Sequence, residues 1–212
     1  MDIIIRNETE NDFHEIEELT REAFWNLYFP GCNEHYLVHQ MRNHPDFIKE
    51  LDFIAEYNGK LVGNIMYTKA WLINENGQKK EIISFGPLSV LPEYQRKGIG
   101  SSLISHTKNI ALTKGIKGIV ILGDPHNYCK HGFKSSKDLN ISDVNGEYPY
   151  GMLALELEQR AFEGNKWIFK YSDVFNINEE DAEIFDTTFK QKEKDYKYTQ
   201  EIFSIAFRSY VK

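Results

Sequence analysis

The spacing of hydrophobic residues in the N-terminal part of the chain predicts one short strand and then two helices. Residues 3–5 are three consecutive isoleucines, which favour a strand. Thr9 and Asp12 are suited to cap a first helix, and the apolar residues after them recur at helical intervals. Pro30-Gly31 interrupts this pattern, and a second helix is expected over residues 34–42.

The middle of the chain predicts a β-hairpin, another strand and a long helix. Residues 52–57 and 60–73 are strand-like and flank Asn58-Gly59, the strongest two-residue signal for a hairpin. A β-rich run over residues 80–91 follows. The amphipathic pattern over residues 99–114 then indicates a helix.

The last part of the chain predicts three strands and two helices. They are expected at residues 118–123, 152–158, 166–172, 179–189 and 199–210. We therefore expect a core domain over residues 1–172 and a helical extension over residues 173–212 that packs on it. The mixed-charge run over residues 191–197 is expected to be a solvated surface.

The order of these elements indicates the fold class. Hairpins make most neighbouring strands antiparallel, and the one long crossover helix makes a parallel pair. The sequence therefore predicts an α/β (α+β) protein with a mixed, mostly antiparallel central sheet flanked by helices.

Composition supports an ordinary globular domain. The 212 residues suit one domain with an appendage, and 41% hydrophobic residues, with 12 Tyr and 14 Phe, provide for a substantial core. No segment approaches the about 18 apolar residues of a membrane span, and the N-terminus lacks the pattern of a secretory signal. Cys32 and Cys129 do not form a disulfide framework, so a cytoplasmic protein is expected.

The charge of the chain bears on its partners. A formal net charge of −7 argues against binding to nucleic acid, whose phosphates usually meet a basic surface. The same charge is compatible with a cationic amine substrate. The sequence leaves the oligomeric state open, with a homodimer among the options.

The segment with the most chemical information lies between the predicted strand 80–91 and the helix that follows. Gly98 and Gly100 allow a tight turn and a close approach of ligand to backbone. The unpaired N–H groups and the positive dipole end of the following helix suit a phosphate, and Arg96 and Lys97 add positive charge. The pattern therefore predicts a strand, a phosphate-binding turn and a helix.

Glycine spacing excludes two common phosphate loops. A P-loop needs four residues between its first glycine and a Gly-Lys-Ser/Thr, which residues 98–101 do not provide. A dinucleotide-binding loop needs a third glycine where this chain has Leu103.

Gln95-Arg96-Lys97-Gly98-Ile99-Gly100 instead resembles the Gln/Arg-x-x-Gly-x-Gly/Ala motif of the GNAT acetyltransferase superfamily. The residues leading into it, 88–94, are similar to that family's fourth strand and its exit. The resemblance implies the GNAT acyl-CoA N-acyltransferase fold, with acetyl-CoA as cosubstrate and no metal. It also implies that the pantetheine arm adds to the fourth strand like an extra strand, while the loop amides hold the pyrophosphate. The implied cofactor-binding residues are Leu88, Ser89, Val90, Gln95, Arg96, Lys97, Gly98, Ile99, Gly100, Ser101 and Asn127.

A second motif, Tyr128-Cys129-Lys130-His131-Gly132-Phe133, resembles the Tyr-x-x-x-Gly-Phe element that follows the fifth strand in this superfamily. The resemblance implies that the Tyr128 hydroxyl protonates the departing CoA thiolate, and a packed tyrosine at a helix start is the alternative. Residues 85–90, 122–125 and 152–157 further resemble the YhbS-like subgroup of bacterial acetyltransferases. The similarity covers residues 3–175.

Two positions depart from the family pattern. Many members carry Asn seven positions before the tyrosine, where this chain has Ile121, so Asn127 or the turn 123–125 is expected to replace that contact. Some members use a glutamate as general base where this chain has Ser84, which indicates a relay through water if that position matters. Glu81, three residues earlier, is expected on the opposite face of the strand, and the other candidate bases are His126, His35, His39 and Glu22. The candidate catalytic residues are therefore Tyr128, His126 and Ser84.

Two rival chemistries use the same segment. His126, Cys129 and His131 could bind zinc with Cys32, although their spacing matches no common zinc site. Cys129 could instead act as a nucleophile with a histidine base. Aromatic residues of segment 25–47 could line an amine pocket or simply pack a helix on the sheet, namely Trp25, Tyr28, Phe29 and Tyr36.

The function predicted from these residues is acetyl-CoA-dependent N-acetyl transfer to a small amine or a protein amine by direct attack. A GNAT-fold module that binds acyl-CoA without transferring it is the alternative, and a structural domain with no cofactor is a third. The sequence does not indicate the acceptor or the length of the acyl chain.

Overall fold

The computed structural model describes residues 2–212 and contains nine strands and six helices in that range. The strands are β1 (Ile4–Asn7), β2 (Phe53–Tyr57), β3 (Lys60–Asn74), β4 (Lys79–Val90), β5 (Gly118–Leu122), β6 (Lys134–Ser135), β7 (Ile141–Ser142), β8 (Met152–Glu156) and β9 (Trp167–Lys170). The helices are α1 (Phe13–Phe24), α2 (Glu34–Met41), α3 (Ile99–Thr113), α4 (Pro125–Tyr128), α5 (Glu179–Asp186) and α6 (Tyr198–Phe207).

The strands form a single mixed sheet. Its main order is β1-β2-β3-β4-β5-β8-β6, with β9 paired to the far half of β3 and β7 paired to β9. Only β4–β5 and β7–β9 are parallel, and every other described pair is antiparallel. The predicted fold class is therefore confirmed.

The hairpin between β2 and β3 forms where Asn58-Gly59 predicts it. Asn58 and Gly59 both have left-handed backbone angles, with φ of 51° and 77°. Two consecutive positive φ values are the geometry of a type I′ turn, whose twist matches the twist of the flanking strands.

Helices cover both faces of the sheet, and successive residues of β4 point alternately to one face and the other. The Ser89 hydroxyl donates to the Thr20 hydroxyl of α1 at 3.0 Å. Its neighbours Leu88 and Val90 project the other way, toward the start of α3, where they approach the position of a Cβ on Gly100. The absence of a side chain on Gly63 lets Ile99 of α3 pack directly on β3, since a Cβ there would lie 3.0 Å from it.

The C-terminal segment contacts the first two helices. Arg21 of α1 pairs with Asp186 of α5 at 2.6 Å, and the Gln40 amide of α2 donates to the Val174 carbonyl at 2.8 Å. Ala182 of α5 is buried against this surface. No helix among residues 2–212 has the length and apolar content needed to cross a membrane.

Most predicted elements form within a few residues of their expected bounds, and β6 and β7 are the exceptions. Both are two-residue strands in the polar stretch before Tyr150. Strands this short carry no period-2 pattern, so only their pairing with β8 and β9 defines them.

Candidate functional site

The turn between β4 and α3 presents free backbone N–H groups. Arg96 and Gly98 have left-handed φ angles of 59° and 89°, and Gly98 is the N-cap of α3. The first helical hydrogen bond joins the Ser102 N–H to the Gly98 carbonyl at 2.9 Å. The N–H groups of the three residues between them therefore have no helical acceptor, and they point out of the helix end toward any bound anion.

Positive side chains surround this turn. Arg96 and Lys97 are exposed. On the other side, the Ser101 hydroxyl lies 3.2 Å from His131 Nε2. Burial and the charges of Lys130 and Lys108 lower the pKa of His131 below its ordinary value, which shows that two further cations lie near it. Sequence reasoning did not single out Lys108, because it lies two helical turns into α3.

The sheet opens beside the turn. β4 and β5 pair at one position, Ile83 opposite Ile119, although β4 continues to Val90 and β5 to Leu122. The edge of residues 84–90 that faces β5 therefore has no strand partner in the described chain. A linear ligand with amide groups can pair with this edge as an added strand does. The Gln95 amide donates to the Val90 carbonyl at 3.1 Å and holds the turn against the strand end.

Tyr128 lies at the other side of this opening, at the end of α4. Its ring packs against Phe85 of β4 and Phe133, with centroid distances of 5.7 and 6.0 Å. It also covers Gly123, where a Cβ would lie 2.5 Å from the ring. Burial, with a smaller contribution from the charge of Asp124, raises the pKa of Tyr128 to about 12. The phenol therefore keeps its proton at neutral pH and can donate it.

The other two predicted catalytic residues are Ser84 and His126. Ser84 is buried and points to the face of the sheet opposite Phe85, the residue that contacts Tyr128. His126 and Asn127 are exposed at the start of α4, where their backbone N–H groups bond to Asp124 at 3.0 and 2.9 Å. Asp124 thus caps α4, the short helix that ends at Tyr128.

Three other candidate bases form ion pairs or hydrogen bonds elsewhere. His35 is completely buried, with Nε2 3.1 Å from the carboxylate of Asp186. His39 pairs with Glu17 at 2.9 Å, and Glu22 pairs with Lys192 at 2.7 Å. Each of these contacts joins an N-terminal helix to a neighbouring segment, which is a structural role. Ile121, where many relatives carry Asn, lies in the main core.

The proposed zinc ligands do not gather. Within residues 2–212, the one group of three metal-ligating side chains with mutually close donor atoms is His44, Asp46 and Asp173. His44 Nδ1 accepts the Asp46 N–H at 3.2 Å, and His44 Nε2 lies 3.0 Å from Asp173. Hydrogen bonding therefore accounts for that group. Cys129 is exposed, whereas burial raises the pKa of the Cys32 thiol and makes it unreactive.

Two further polar side chains lie near the N-terminal helices. Tyr28 follows α1 and Glu34 is the first residue of α2. Burial, and then the charges of Tyr128, Glu34 and Asp124, raise the pKa of Tyr28 above its ordinary value. Tyr28 was a candidate pocket residue from the sequence. Glu34 was not, because an acidic residue in a first helical turn is ordinary.

The other aromatic residues of that segment have packing roles. The Trp25 indole donates to the Glu193 carbonyl at 2.9 Å, and Tyr36 packs against Phe185 of α5 at a centroid distance of 5.5 Å. Phe29 is 40% exposed. Trp25 and Tyr36 therefore hold the C-terminal segment on the first two helices.

A mixed sheet that opens at its parallel step, with a glycine turn and helix start beside the gap, is the architecture of acyltransferases that use acyl-CoA. Comparison with protein-family models supports this class. Residues 13–133, more than half of the chain, match the Acetyltransferase (GNAT) family. The chain therefore belongs to the GNAT family of N-acetyltransferases, and the resemblance in its motifs is confirmed.

Comparison with known proteins also finds N-acetyltransferases. Over 84 residues the chain is 36% identical to the uncharacterized N-acetyltransferase YjhQ of Escherichia coli, which covers 40% of this chain and 46% of YjhQ. It is 24% identical to the uncharacterized N-acetyltransferase YhbS of Escherichia coli over 178 residues, 82% of this chain and 99% of YhbS.

Two solved structures share the fold. The crystal structure of YhbS in complex with CoA has a TM-score of 0.71, with 22% identity over 82% of this chain and 92% of that chain. A GNAT family acetyltransferase from Brucella melitensis in complex with acetyl-CoA has a TM-score of 0.63, with 26% identity over 82% of this chain and 98% of that chain.

Proposed function

We propose that this protein transfers an acetyl group from acetyl-CoA directly to the nitrogen of an amine. The observation that supports this most is the free edge of β4 between the glycine turn and Tyr128. One end of this opening suits a pyrophosphate, the middle suits the amides of a pantetheine arm, and the far end holds a protonated phenol. These three features lie in the same order as the pyrophosphate, the pantetheine arm and the thioester of acetyl-CoA.

The backbone carries most of the cofactor binding in this proposal. The N–H groups at the start of α3 bind the pyrophosphate, with Arg96, Lys97 and Lys108 supplying positive charge. The main chain of Leu88, Ser89 and Val90 pairs with the pantetheine arm. Ser89 contributes only its backbone, because its side chain is buried against Thr20.

The chemistry needs one proton donor at the sulfur and one acceptor at the amine. The amine nitrogen attacks the thioester carbon, the C–S bond breaks, and Tyr128 donates its proton to the leaving sulfur. A pKa of about 12 keeps Tyr128 protonated until a thiolate forms beside it. The candidate acceptors are Ser84 through a water molecule, at the position where some family members use a glutamate, and His126 at the start of α4.

Steady-state kinetics tests this proposal. Purified protein is incubated with acetyl-CoA and a panel of small amines and of peptides with free N-termini or lysines, and the release of free CoA thiol is followed. We expect release that depends on an amine and a matching acetylated product by mass spectrometry. CoA binding without any acetylated product would contradict the transferase proposal.

A binding or regulatory module is the second candidate, and Ser84 in place of a glutamate is the observation that favours it. Calorimetry with CoA and thiol release with the amine panel separate the two functions. A module binds CoA and releases no thiol. A cytoplasmic location, and the division into residues 1–172 and 173–212, belong to the same proposal.

A further inference from the structure

Helix α6 turns a polar side toward the protein and an apolar side toward solvent. Gln200 is its one buried residue, and the Gln200 side-chain amide donates to the Asn26 and Asp195 carbonyls at 3.0 and 3.1 Å. Ile202 and Ile205 are exposed. They lie on the opposite side of the helix, because steps of two and five residues turn about halfway round a helix of about 3.6 residues per turn. An amphipathic helix on the surface of a monomer has the reverse arrangement.

The exposed apolar side chains of α6 form two adjacent rows. Tyr198, Ile202 and Ile205 follow one another at steps of four and three residues, the spacing that keeps side chains on one stripe of a helix. Phe203 and Phe207 form the second row and stack on each other with a centroid distance of 5.8 Å. The two rows therefore make one continuous apolar face.

Two tyrosines extend this face beyond the end of the helix. Tyr210 pairs with Pro149 in an isolated bridge, and the Tyr150 N–H donates to the Ser209 carbonyl at 2.8 Å. We call the five apolar residues of α6 together with these two tyrosines the α6 surface. The residues of the α6 surface are Tyr150, Tyr198, Ile202, Phe203, Ile205, Phe207 and Tyr210.

The area of the α6 surface is that of a dimer interface. Its seven side chains are between 37% and 74% exposed. Since a large apolar side chain offers about 150–250 Å², together they expose on the order of 800 Å². The largest apolar patch on a typical monomer is about 300–600 Å², whereas each partner contributes about 800 Å² to an interface of standard size.

The charges beside the apolar stripe fit a second copy of the same helix. Glu201 and Arg208 lie on one flank of the stripe, exposed, with 4.0 Å between their charged groups. In two antiparallel copies related by a two-fold axis between positions 204 and 205, Glu201 of each copy lies opposite Arg208 of the other, and Ile202 lies opposite Phe207. A helix that binds a membrane surface carries mainly Lys and Arg on its polar side, whereas residues 198–208 contain one Glu and one Arg.

We propose that the α6 surface is a homodimer interface in which α6 packs antiparallel against α6 of a second copy. The apolar rows form the centre of this interface, and two Glu201–Arg208 pairs form its rim. Phe203 holds each helix on its own subunit through its stack on Tyr28, with a centroid distance of 4.1 Å. Ile205 is exposed in a single subunit, so its truncation in dilute, monomeric protein leaves α6 in place. The inference is independent of the proposed acetyl transfer.

Sedimentation equilibrium of the full-length protein, from micromolar to submillimolar concentration, tests the interface. We expect a reversible equilibrium between monomer and dimer. Ile202→Glu should weaken the dimer about a hundredfold, because it places two carboxylates in the apolar centre. Circular dichroism should show that the variant is folded. A wild type that stays monomeric at every concentration, or a folded Ile202→Glu variant that dimerises as the wild type does, would overturn the proposal.

Ile184→Glu is the matched control, because Ile184 is an exposed isoleucine of α5 outside the α6 surface. It makes the same change of side chain and should leave the dimer affinity at the wild-type value. Loss of the dimer in Ile184→Glu as well would move the interface away from α6.

A charge reversal tests whether the partner is a second copy in the antiparallel arrangement. Glu201→Arg alone should weaken the dimer about tenfold, because it places like charges opposite each other at two symmetric positions. Adding Arg208→Glu to the same chain should restore the affinity. A double variant no tighter than Glu201→Arg alone would rule out this arrangement.

A cross-linking measurement covers the case that Ile202→Glu does not fold. In a Cys129→Ser background, which leaves only the buried Cys32, Ile205→Cys should form a disulfide-linked dimer under mild oxidation. Tyr198→Cys should not, because at about 1.5 Å per residue its two copies lie about 20 Å apart along the antiparallel pair. Equal cross-linking at both positions would contradict the antiparallel pairing.

Vesicle flotation separates the second copy from a lipid surface. Wild-type protein is mixed with vesicles of phosphatidylcholine and phosphatidylglycerol, and we expect it to stay unbound. A monomeric protein that floats with the vesicles, and loses this binding in Ile202→Glu, would assign the α6 surface to a membrane and overturn the dimer.

Discussion

The two sides of the candidate site are built in different ways. The cofactor side is local, since β4, the glycine turn and the start of α3 are continuous in sequence, and in the proposed function they bind CoA through backbone groups. The acceptor side, which the proposed transfer requires beside Tyr128, is assembled from distant segments: Tyr128 of α4 packs on Phe85 of β4, and Phe203 of α6 stacks on Tyr28. The cofactor is common to the family, and a backbone site suits an unchanging ligand. Side chains from separate segments can change independently, so the acceptor side can vary between relatives.

The difference also appears in the energetics. The cofactor side has exposed positive side chains that are well solvated without a ligand. The acceptor side has a carboxyl, Glu34, whose pKa is raised to about 7 by burial. Removing a carboxylate from water costs stability, and such costs are typical of functional sites.

The largest expected effect is a loss of CoA affinity on the cofactor side alone. Gly100→Glu should lower the CoA affinity about a hundredfold, or about 2.7 kcal/mol, because the new carboxylate repels the pyrophosphate. The fold should persist, since a Cβ at Gly100 meets only Leu88 and Val90, at 3.6 and 3.8 Å, and an acidic residue favours a first helical turn. Calorimetry with CoA and thermal unfolding measure both effects.

Ser105→Glu is the control, because Ser105 is an exposed residue further along α3. It should keep the wild-type CoA affinity. An unchanged affinity in a folded Gly100→Glu variant would remove the helix start from the cofactor site.

The next largest effect is on kcat and concerns Tyr128, which lies where the cofactor side meets the acceptor side. Tyr128→Phe should lower kcat about ten- to a hundredfold with an amine from the panel and leave the CoA affinity unchanged, because only the proton donor is lost. Since the pKa of Tyr128 is about 12, its ionisation should not reduce the wild-type rate below about pH 10. Tyr171→Phe, at a 42% exposed position, is the control. A full kcat in Tyr128→Phe would exclude the general-acid role.

A third prediction concerns the pH dependence of stability on the acceptor side. The pKa of Glu34 is about 7 in the folded protein against an ordinary 4.5, so folding favours the protonated form. Its contribution to stability is complete below about pH 4.5 and is lost as the pH rises through 7. Glu34→Gln keeps a neutral side chain, and it should therefore be more stable than the wild type at pH 8 by about 1–3 kcal/mol and nearly equal at pH 5.

Urea unfolding at pH 5, 6.5 and 8 measures this difference. Glu183→Gln, at an exposed carboxylate, should show no comparable trend. The same stability difference at all three pH values would mean that Glu34 is not an uncompensated carboxyl.

The smallest effect concerns the cover of the acceptor side. Phe203→Ala removes the stack on Tyr28 and should cost about 1 kcal/mol locally. Hydrogen exchange of α6 should become faster while the CoA affinity stays the same. Ile205→Ala, at a 56% exposed position of the same helix, should leave the exchange of α6 nearly unchanged. Equal exchange in both variants would show that the stack does not hold α6 in place.

Local elements were predictable because their causes lie within a few residues. Asn58-Gly59 adopts the two left-handed angles that its residue types favour, and Gly98 adopts the left-handed angle of a helix N-cap. The helix bounds of α2 and α3 follow from apolar spacing to within one residue. The short strands β6 and β7 were not predictable, because their partners alone define them.

The candidate site likewise has one part that could be predicted from the sequence and one part that could not. Gln95–Ser101 and Tyr128 could be identified from motif spacing, and the structure places them around one opening in the sheet. The raised pKa of Glu34 could not be predicted, because burial sets it and burial depends on how distant segments pack. Residue type and spacing say nothing about which distant segment will cover a given side chain.

By itself, the sequence determined the order of the longer strands and helices, the hairpin, the glycine turn before α3 and the family, because backbone preferences and apolar periodicity act over short distances. The tertiary structure alone decided that β4 and β5 separate after one pair, and that α6 lies over Tyr28. It also decided that burial raises the pKa of Glu34. These features depend on which surfaces become buried together when the whole chain packs, and burial sets both the pKa of Glu34 and the space open to an acceptor.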